Sequence, residues 1–548
     1  MHGKLLDYAK YLMISTIILF LHGSCNTADN NNNGYLTTKS VVIEKQEDGT
    51  HRLLINGKPF IMLAGELGNS TASDADSMSR LWPKLKAMNL NTVLAPVYWE
   101  LIEKEEGVFD FSSVDMLISG ARKHDIKLVL LWFGSWKNSM SCYVPGWIKE
   151  DYLKYPRAKD KKGRAQEILS PFYQSNLDAD KKAFVRLMKY IKTIDNAHHT
   201  VIMVQVENEI GMLPDARDYS GSANIAFREN VPTELIDYLK NKGLHPPSLK
   251  NEEGNWEEVF GKSLATDEIF MAWYFARYAN EIARAGKNEY DLPMFVNAAL
   301  NSPGRKPGEY PSAGPLPHLV DFWKAGAPAI DFLAPDIYFS NFSYWCEQYD
   351  LPDNPLFIPE TYPNHLNMLY AIGKHQALGF SPFAIESLEG RPKKILAKSY
   401  ALISNIMHLI TDSQGRKNMT AVRLSNTIRK DTVDFEGYRF KFGHDFSLGW
   451  SKEIKEYEQW PETGAMVIRL SADEFIVCGT GIVITFENTS ENSDLRAGIL
   501  LNENGYFDQQ GNWKVKMTLN GDQTHQGRHL SIPFSAFQIH RLKLYRYK

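Results

Sequence analysis

Between residues 60 and 385 the chain alternates short apolar runs with longer segments of helical periodicity. Such alternation predicts βα units around a parallel sheet, and strands buried on both faces need near-continuous apolar runs. Eight strands over roughly 350 residues predict the α/β fold class and a (β/α)8 barrel with insertions, the largest around 214–255. The predicted strands are Phe60–Gly65, Thr92–Val97, Lys127–Phe133, Val201–Val206, Pro293–Val296, Asp331–Ala334, Leu356–Pro359 and Pro382–Ile385.

Two β-rich patterns flank the predicted barrel. On the N-terminal side, Val41–Ile43 and Arg52–Gly57 flank Asp48 and Gly49, a dipeptide that favours a hairpin turn. From about Thr420 the helical periodicity fades and short strand-like segments follow. We therefore predict a catalytic barrel domain over 41–415 and a C-terminal β-sandwich-like domain over 416–548. The strand-like segments are Met466–Leu470, Phe475–Val477, Gly481–Phe486 and Lys514–Leu519.

The N-terminus has the pattern of an export signal. Lys4 and Lys10 precede the apolar run Tyr11–Leu21, which is too short for a permanent membrane span and fits a signal peptide. Leu21–Cys25 resembles a bacterial lipobox, in which the cysteine is acylated. We expect a signal over 1–25, lipidation at Cys25, a flexible tether over 26–40, and an exported lipoprotein held at a membrane in the periplasm or on the outer-membrane surface. The alternative is an ordinary cleaved signal with an incidental cysteine.

Composition excludes several classes of protein. The formal charge is −4, from 61 Lys and Arg against 65 Asp and Glu, which argues against a nucleic-acid binder. The four cysteines form no CxxC motif and no Cys/His cluster, so neither a disulfide scaffold nor a zinc site is indicated. No histidines pair at metal-ligand spacing, and we expect no metal and no cofactor.

Two glutamates follow predicted barrel strands. The fourth strand runs into Glu207, Asn208 and Glu209, and the seventh runs into Glu360. Barrel enzymes carry their chemistry at the C-terminal ends of the strands. Glycoside hydrolysis needs one protonated carboxyl for the leaving oxygen and one ionised carboxylate, about 5–5.5 Å apart for retention and about 6.5–9.5 Å apart for inversion. We expect Glu209 and Glu360 to be this pair.

Neighbouring polar residues extend the predicted site. Asn208 is expected to point into the sugar site and bond the hydroxyl next to the anomeric carbon. Tyr338, after the sixth strand, is placed to hydrogen-bond the nucleophile, although a rim tyrosine with no role fits equally. Trp345, Tyr344 and Tyr362 follow later strands and are candidates for the side of the site that holds the leaving group.

The sequence resembles glycoside hydrolase family 35, the β-galactosidases, over most of residues 50–390. The resemblance implies that Glu209 is the acid/base, Asn208 the sugar-binding asparagine and Glu360 the nucleophile. Glu103 and Glu207 also fall on positions of the family pattern, and we interpret both as structural rather than catalytic. The resemblance rests on three stretches: Gly57–Phe60, Asn91–Val93 continuing through Tyr98–Phe111, and Ile202–Glu209.

One part of the family pattern is altered. A Cys-Ala-Glu triplet after the third strand contacts galactose in the family, and Trp136, Lys137 and Asn138 stand there instead. Pro96 replaces a family tyrosine near the end of the second strand. The form resembles a bacterial subgroup with an extra β-rich domain and members active on the galactose side chains of xyloglucan. Trp136 is a candidate for stacking on a sugar face, or else a tryptophan of the barrel wall.

The predicted function is therefore a retaining exo-β-galactosidase that acts on plant-type oligosaccharides. Two alternatives stay open. One is a retaining glycosidase of the same clan for another sugar, such as a β-glucosidase or an α-L-arabinopyranosidase. The other is a non-catalytic, glycan-binding surface lipoprotein, although both candidate carboxylates are present.

Overall fold

The computed structural model describes residues 40–244, 246, 249–449, 457–490 and 494–548. The predicted signal peptide, Cys25 and the tether up to residue 39 lie outside the described residues. The described residues all belong to one compact unit, Lys39–Lys548. No helix among them is long and apolar enough to cross a membrane.

Eight parallel strands close into a barrel, and the predicted fold class is confirmed. Around the barrel the strands follow the order β4, β5, β6, β9, β10, β11, β12, β13, so each is paired with its predecessor in the barrel. The last strand, β13, returns to β4. Their bounds are β4 Met62–Glu66, β5 Thr92–Tyr98, β6 Lys127–Phe133, β9 Val201–Val206, β10 Met294–Ala299, β11 Phe332–Ile337, β12 Ile358–Thr361 and β13 Gly379–Pro382.

The later strands are displaced from their predicted positions. The prediction Pro382–Ile385 was wrong for the eighth strand: the pairing ends at Pro382, and Ala384 has a φ of 48°. The strand starts instead at Gly379, where a Cβ atom would lie 2.5 Å from the Cβ of Met62. The sixth and seventh strands run past their apolar residues, because Asp336 pairs with Glu360 in parallel register. Two acids therefore lie inside strands rather than after them.

Helices surround the barrel and connect its strands. The two longest, α5 and α9, pack against each other. The predicted insertion at 214–255 carries α6 and α7. The helices are α1 Ala75–Ala87, α2 Trp99–Ile102, α3 Ser112–Lys123, α4 Gly146–Glu150, α5 Gln174–Asp195, α6 Gly221–Ala226, α7 Thr233–Asn241, α8 Trp256–Phe260, α9 Leu264–Glu289, α10 Val320–Gly326, α11 Phe342–Tyr349, α12 His365–His375, α13 Gly390–Asn405 and α14 Met407–Ser413.

Two small antiparallel sheets accompany the barrel. The predicted N-terminal hairpin is confirmed, with Val41 opposite Ile55 and Lys45 opposite His51. A third strand extends this hairpin, and a separate two-stranded sheet precedes α5. The strands are β1 Val41–Lys45, β2 His51–Ile55, β3 Lys58–Phe60, β7 Arg157–Lys159 and β8 Ala165–Leu169.

The C-terminal region forms two antiparallel sheets, as predicted. The six-stranded sheet has the order β14-β17-β18-β23-β20-β21, and the four-stranded sheet has the order β15-β16-β19-β22. The strands are β14 Met419–Leu424, β15 Lys430–Phe435, β16 Tyr438–His444, β17 Thr463–Arg469, β18 Glu474–Thr480, β19 Ile482–Asn488, β20 Arg496–Phe507, β21 Trp513–Thr518, β22 His529–Ile532 and β23 Gln538–Tyr547.

Strands β17 and β18 of the six-stranded sheet are buried on both faces, whereas its edge strand β21 is exposed. Along β17, Ala465 and Val467 face the core between the two sheets, whereas Met466 and Ile468 join the core of the barrel domain. This alternation follows from the two-residue period of a strand. Helix α12 of the barrel domain packs on β14 and β17, and so joins the barrel to the six-stranded sheet.

Candidate active site

The C-terminal ends of the barrel strands bring four carboxyl groups into one interacting cluster, and we call the mouth of the barrel around this cluster the cavity. Glu66 ends β4, Glu209 follows β9, Asp336 lies in β11 and Glu360 lies in β12. Burial is the main cause that raises the pKa of each, and the negative charge of Glu360 raises the pKa of the other three further. The sequence predicted two of these acids, and the structure adds two.

The backbone after β9 directs neighbouring glutamates to different places. Glu207 has a φ of 60° and Glu209 a φ of 42°, in the left-handed region that a non-glycine residue seldom adopts. The Glu209 amide donates to Oδ1 of Asn297 in β10 at 2.8 Å, which holds this turn. Glu209 therefore reaches the cavity, and burial with the nearby Glu360 charge raises its pKa to about 7. It is set to carry a proton near neutral pH.

Glu360 has the environment of an ionised carboxylate. The Tyr338 hydroxyl donates to its Oε1 at 2.7 Å, as the sequence predicted. Burial raises the Glu360 pKa, while Lys137 and the Tyr338 hydrogen bond oppose that rise. Its Oε2 is buried and has no hydrogen-bond partner among the described residues. One oxygen is thus held by Tyr338, and the other is left for a reacting atom.

Lys137 is the cation that faces these acids. Its side chain is 8% exposed and its Nζ lies 4.0 Å from Oε2 of Glu209. Nζ also lies 5.1 Å from the centroid of the Phe133 ring. Its positive charge lowers the pKa of Glu66, Glu209, Asp336 and Glu360 alike. The predicted site residue Lys137 thus lies in the cavity and makes an electrostatic contact with the acids.

One cation among four acids favours a specific distribution of protons. Like charges in a buried cluster cannot all ionise, so protons stay on the groups with the highest pKa. Glu66 and Asp336 have pKa values well above the usual range, chiefly because they are buried. Glu360 has a hydrogen-bond donor and Lys137 to stabilise its charge. The arrangement therefore separates an ionised Glu360 from a protonated Glu209, the division that glycoside hydrolysis needs.

Asn208 belongs to a network of amides beneath the two catalytic candidates. Its Oδ1 accepts from Nε2 of Gln205 at 2.6 Å and from Nδ2 of Asn297 at 3.2 Å. Its own Nδ2 donates to the Lys137 carbonyl at 2.8 Å. Asn297 also donates to Oδ2 of Asp336 at 2.7 Å. The side chain is fully buried, and its contact with a sugar hydroxyl stays a prediction.

The structure decides between the two interpretations of Trp136 and gives Asn138 a local role, while a sugar contact of Asn138 stays a prediction. Trp136 is fully buried, with edge-to-face contacts to Phe275 and Tyr278 at 5.3 and 4.8 Å, so it offers no ring face to a sugar. The reason is local: the chain enters the barrel wall beside α9, and only Lys137 projects into the cavity. Asn138 is half-buried, and its Oδ1 accepts from the Met140 amide and the Ser141 hydroxyl. It therefore closes its own turn.

The later aromatic candidates occupy two places. Tyr362 is 61% exposed and contacts Tyr338 edge-to-face at 4.9 Å, beside the partner of Glu360. Trp345 is largely buried and donates to Oδ1 of Asn341, while its ring packs on Phe339 and Tyr344. It lines a surface pocket of about 470 Å³ together with Tyr344. Their contact with the leaving group stays a prediction.

The acids interpreted as structural have structural contacts. Glu207 is fully buried behind the cavity, where its Oε2 accepts from the Trp136 amide at 2.8 Å and its Oε1 has no hydrogen-bond partner among the described residues. Burial and the neighbouring Asp180 raise its pKa. Asp180 in turn accepts from Trp132, Ser135 and Tyr278. Glu103 accepts from Nε1 of Trp99 and from the Gly107 amide.

Sequence reasoning missed Glu66, Asp336 and Asn297. The signal for the two acids was present: Glu66 directly follows the first predicted strand, and Asp336 lies two residues beyond the sixth. A search for every acid at a strand end would have found them. Asn297 carried no such signal, because an asparagine inside an apolar strand is identified only by its partners across the barrel.

Comparison with known families supports this geometry. Residues 52–260 match the model of glycosyl hydrolases family 35. The predicted resemblance to family 35 is confirmed over this segment. Glu209 lies inside the family 35 segment and Glu360 lies beyond it. Residues 396–531 match a second model, a domain of unknown function (DUF5597).

Individual relatives are distant. The β-galactosidase of Xanthomonas manihotis is 28% identical over 172 residues, 30% of this chain and 26% of that protein, so the chain matches about a quarter of its relative's length. The β-galactosidase structure from Bacillus circulans sp. alkalophilus has 14% identity and a TM-score of 0.44, over 63% of this chain and 56% of the other. The structure from Marinomonas ef1 has 12% identity and a TM-score of 0.46, over 65% and 62%.

Proposed function

We propose that the chain is a retaining exo-β-galactosidase that removes terminal β-D-galactosyl residues from plant-type oligosaccharides, with the galactose side chains of xyloglucan as a candidate substrate. The observation that carries the proposal is the pair Glu209 and Glu360. Glu209 follows the fourth barrel strand, and Glu360 lies in the seventh. Both have Lys137 as a counter-charge, and they differ in the groups that stabilise the ionised form. The family 35 match over 52–260 and the β-galactosidase relative support the choice of sugar.

The reaction proceeds in two displacements. In the first, the Glu360 carboxylate forms a bond to the anomeric carbon while the bond from that carbon to the leaving oxygen breaks. The Glu209 proton passes to the leaving oxygen. In the second, the Glu209 carboxylate takes a proton from water, the water oxygen bonds to the anomeric carbon, and the ester bond to Glu360 breaks. Glu209 ends protonated, and the configuration at the anomeric carbon is retained.

Tyr338 and Lys137 have positioning roles in this scheme. The Tyr338 hydrogen bond leaves one Glu360 oxygen unpartnered among the described residues, so the nucleophilic atom is defined. Lys137 stabilises the carboxylate form of Glu360 before attack. It also stabilises the Glu209 carboxylate, which exists only after the proton has left. Preorganised charge of this kind lowers the barrier without reorganisation at the moment of reaction.

A second candidate is a retaining glycosidase of the same clan for another sugar. It is favoured by the rebuilt segment after β6, where Trp136 is buried and Asn138 closes a turn, so only Lys137 of the three substituted positions faces the cavity. The catalytic steps are the same for a β-glucosidase or an α-L-arabinopyranosidase. Only the set of hydroxyl contacts differs.

Export and lipidation at Cys25 remain part of the proposal. The support is the sequence pattern alone: a basic start, a short apolar run and small residues before the cysteine. Labelling with a clickable palmitate analogue in a Gram-negative host tests it. The wild-type chain should incorporate label, and Cys25→Ser should not; equal labelling of both would reject the anchor.

Release of monosaccharides from a panel of plant oligosaccharides tests the substrate. Galactose released from the non-reducing ends of xyloglucan oligosaccharides, with the β-anomer formed first by proton NMR, is the expected result. Glucose or arabinose as the sole product would favour the second candidate. First formation of the α-anomer would overturn retention.

A further inference from the structure

We propose that Glu66 binds a hydroxyl group of the terminal sugar and so determines which sugar this site accepts. The inference rests on the proposed glycosidase function and deepens it. The family resemblance gave no role to this position, and the predicted first strand ended one residue before it.

The first observation is an unpartnered atom. Glu66 is 1% exposed, and its Oε1 is buried without a hydrogen-bond partner among the described residues. A buried polar atom left without a partner costs about 1–3 kcal/mol, and native proteins seldom leave one without a reason. A polar ligand in the cavity would supply the missing partner.

The second observation is the place of Glu66 in the ring of strands. It lies on β4, two strands from the nucleophile on β12 and three strands from Glu209 on β9 by way of β5 and β6. Glu209 must lie beside the leaving oxygen, so the leaving group extends toward β9. Because β4 lies across the barrel from β9, its end is placed to contact the ring of the terminal sugar rather than the leaving group.

The third observation concerns how this side of the cavity is held. Glu386, which follows β13, accepts from the Gly68 amide at 2.9 Å and from the Thr71 hydroxyl at 2.5 Å through Oε1. Its Oε2 is buried and unpartnered among the described residues, and its charge acts on Glu66. Gly65 leaves room for this approach, since a Cβ atom there would lie 2.5 Å from the Ile385 side chain. The end of β4 and the segment after β13 thus place the carboxyl groups of Glu66 and Glu386 near each other.

The charge state of Glu66 sets what it offers a sugar. Burial and the neighbouring Glu360 raise its pKa well above the usual range, which favours the neutral form of the carboxyl. A neutral carboxyl both donates and accepts, which suits a hydroxyl group and adds no charge beside the nucleophile. Glutamine has the same size and the same two capacities, whereas alanine has neither.

The test pairs variants with single-deoxy substrates. Glu66→Ala, Glu66→Gln and the control Glu103→Gln are assayed on 4-nitrophenyl β-D-galactopyranoside and on its 2-, 3-, 4- and 6-deoxy analogues. Glu66→Ala should lower kcat/KM about 10- to 100-fold on the parent, and less than about 3-fold on the one analogue that lacks the contacted hydroxyl. Glu66→Gln should stay within about 10-fold of wild type. For the control Glu103→Gln, the ratio of its kcat/KM to that of wild type should be the same on the parent and on all four analogues.

The outcomes separate the two proposals. An equal loss for Glu66→Ala on the parent and on all four analogues would overturn the inference and leave the glycosidase function intact. If Glu66→Ala fails to fold, a loss above about 100-fold for Glu66→Gln, equal on every substrate, overturns the inference in the same way. If wild type cleaves no β-galactoside, β-glucoside or α-L-arabinopyranoside, the proposed function fails and the inference falls with it.

Discussion

Two sets of buried acids lie on either side of the segment that follows β6. Asp180 and Glu207 lie behind it, and Glu209 and Glu360 lie in the cavity in front. All four have raised pKa values, chiefly because they are buried. Each set holds one buried oxygen without a hydrogen-bond partner among the described residues, Oε1 of Glu207 and Oε2 of Glu360. The sets differ in their other contacts: Asp180 accepts from three side chains of the barrel wall, while Lys137 lowers the pKa of Glu209 and Glu360.

The comparison teaches that burial and a shifted pKa do not identify a catalytic acid by themselves. Glu207 and Glu209 are two residues apart, and the left-handed backbone between the strand and the cavity sends them to opposite sides. Glu207, which accepts from the Trp136 amide beside Asp180, holds the barrel wall in place. Glu209, which faces an open cavity next to a second acid and a lysine, has the means to act on a substrate.

Substitution of the nucleophile gives the largest expected effect. Glu360→Gln should lower kcat/KM for an aryl β-galactoside by about 10⁴-fold or more, because the amide cannot attack the anomeric carbon. The thermal midpoint should not fall, since glutamine keeps the Tyr338 contact. Activity within 10-fold of wild type would show that the two sets of acids do not differ as described.

Removal of the acid gives the next effect, and it depends on the substrate. Glu209→Ala should lower the rate about 10²- to 10⁴-fold on an alkyl β-galactoside, whose poor leaving group needs the proton. On 2,4-dinitrophenyl β-galactoside the first step should be nearly unaffected, as measured by the burst of dinitrophenol. Equal losses on both substrates would remove Glu209 from the acid/base role.

Substitution in the set behind the cavity should lower the stability of the fold rather than change catalysis. Asp180→Asn places an amide group among the donors Trp132, Ser135 and Tyr278, and should cost about 1–3 kcal/mol of folding free energy. Calorimetry should therefore find a lower thermal midpoint. The pH profile of kcat/KM should keep its shape, and a displaced profile would mean that Asp180 acts on the catalytic pair.

Substitution of Lys137 gives the smallest and most specific effect, a shift of the pH profile of kcat/KM. Wild-type kcat/KM should fall above about pH 7 as Glu209 loses its proton, and should fall on the acid side as Glu360 gains one. Lys137 lowers the pKa of both acids, so Lys137→Met should move both limbs to higher pH. Lys149→Met, at a half-buried ion pair with Glu100, is the matched control. A profile that moves to lower pH would contradict the placement of Lys137.

The sequence predicted the fold because the information is local. The short apolar runs, their spacing and their number predict a barrel, and Glu209 and Glu360 follow from the ends of two of these runs. The role of Asn297 could not be predicted, because its partners are far from it in the sequence. The role of Asn138 could not be predicted either, because its side chain bonds within its own turn. Trp136 illustrates the limit: a tryptophan next to a site was the natural candidate for stacking, and only the positions of Phe275 and Tyr278 reveal that its faces are covered.

Covalent trapping tests the central claim most directly. Wild type treated with 2,4-dinitrophenyl 2-deoxy-2-fluoro-β-D-galactopyranoside should gain the mass of one fluorosugar and lose activity, because fluorine slows release of the glycosyl-enzyme more than its formation with a good leaving group. Peptide mass spectrometry should place the adduct on Glu360, and Glu360→Gln should gain none. An adduct on Glu66, Glu207 or Glu209, or no adduct in an enzyme that hydrolyses the parent galactoside, would contradict the assignment of Glu360 as the nucleophile.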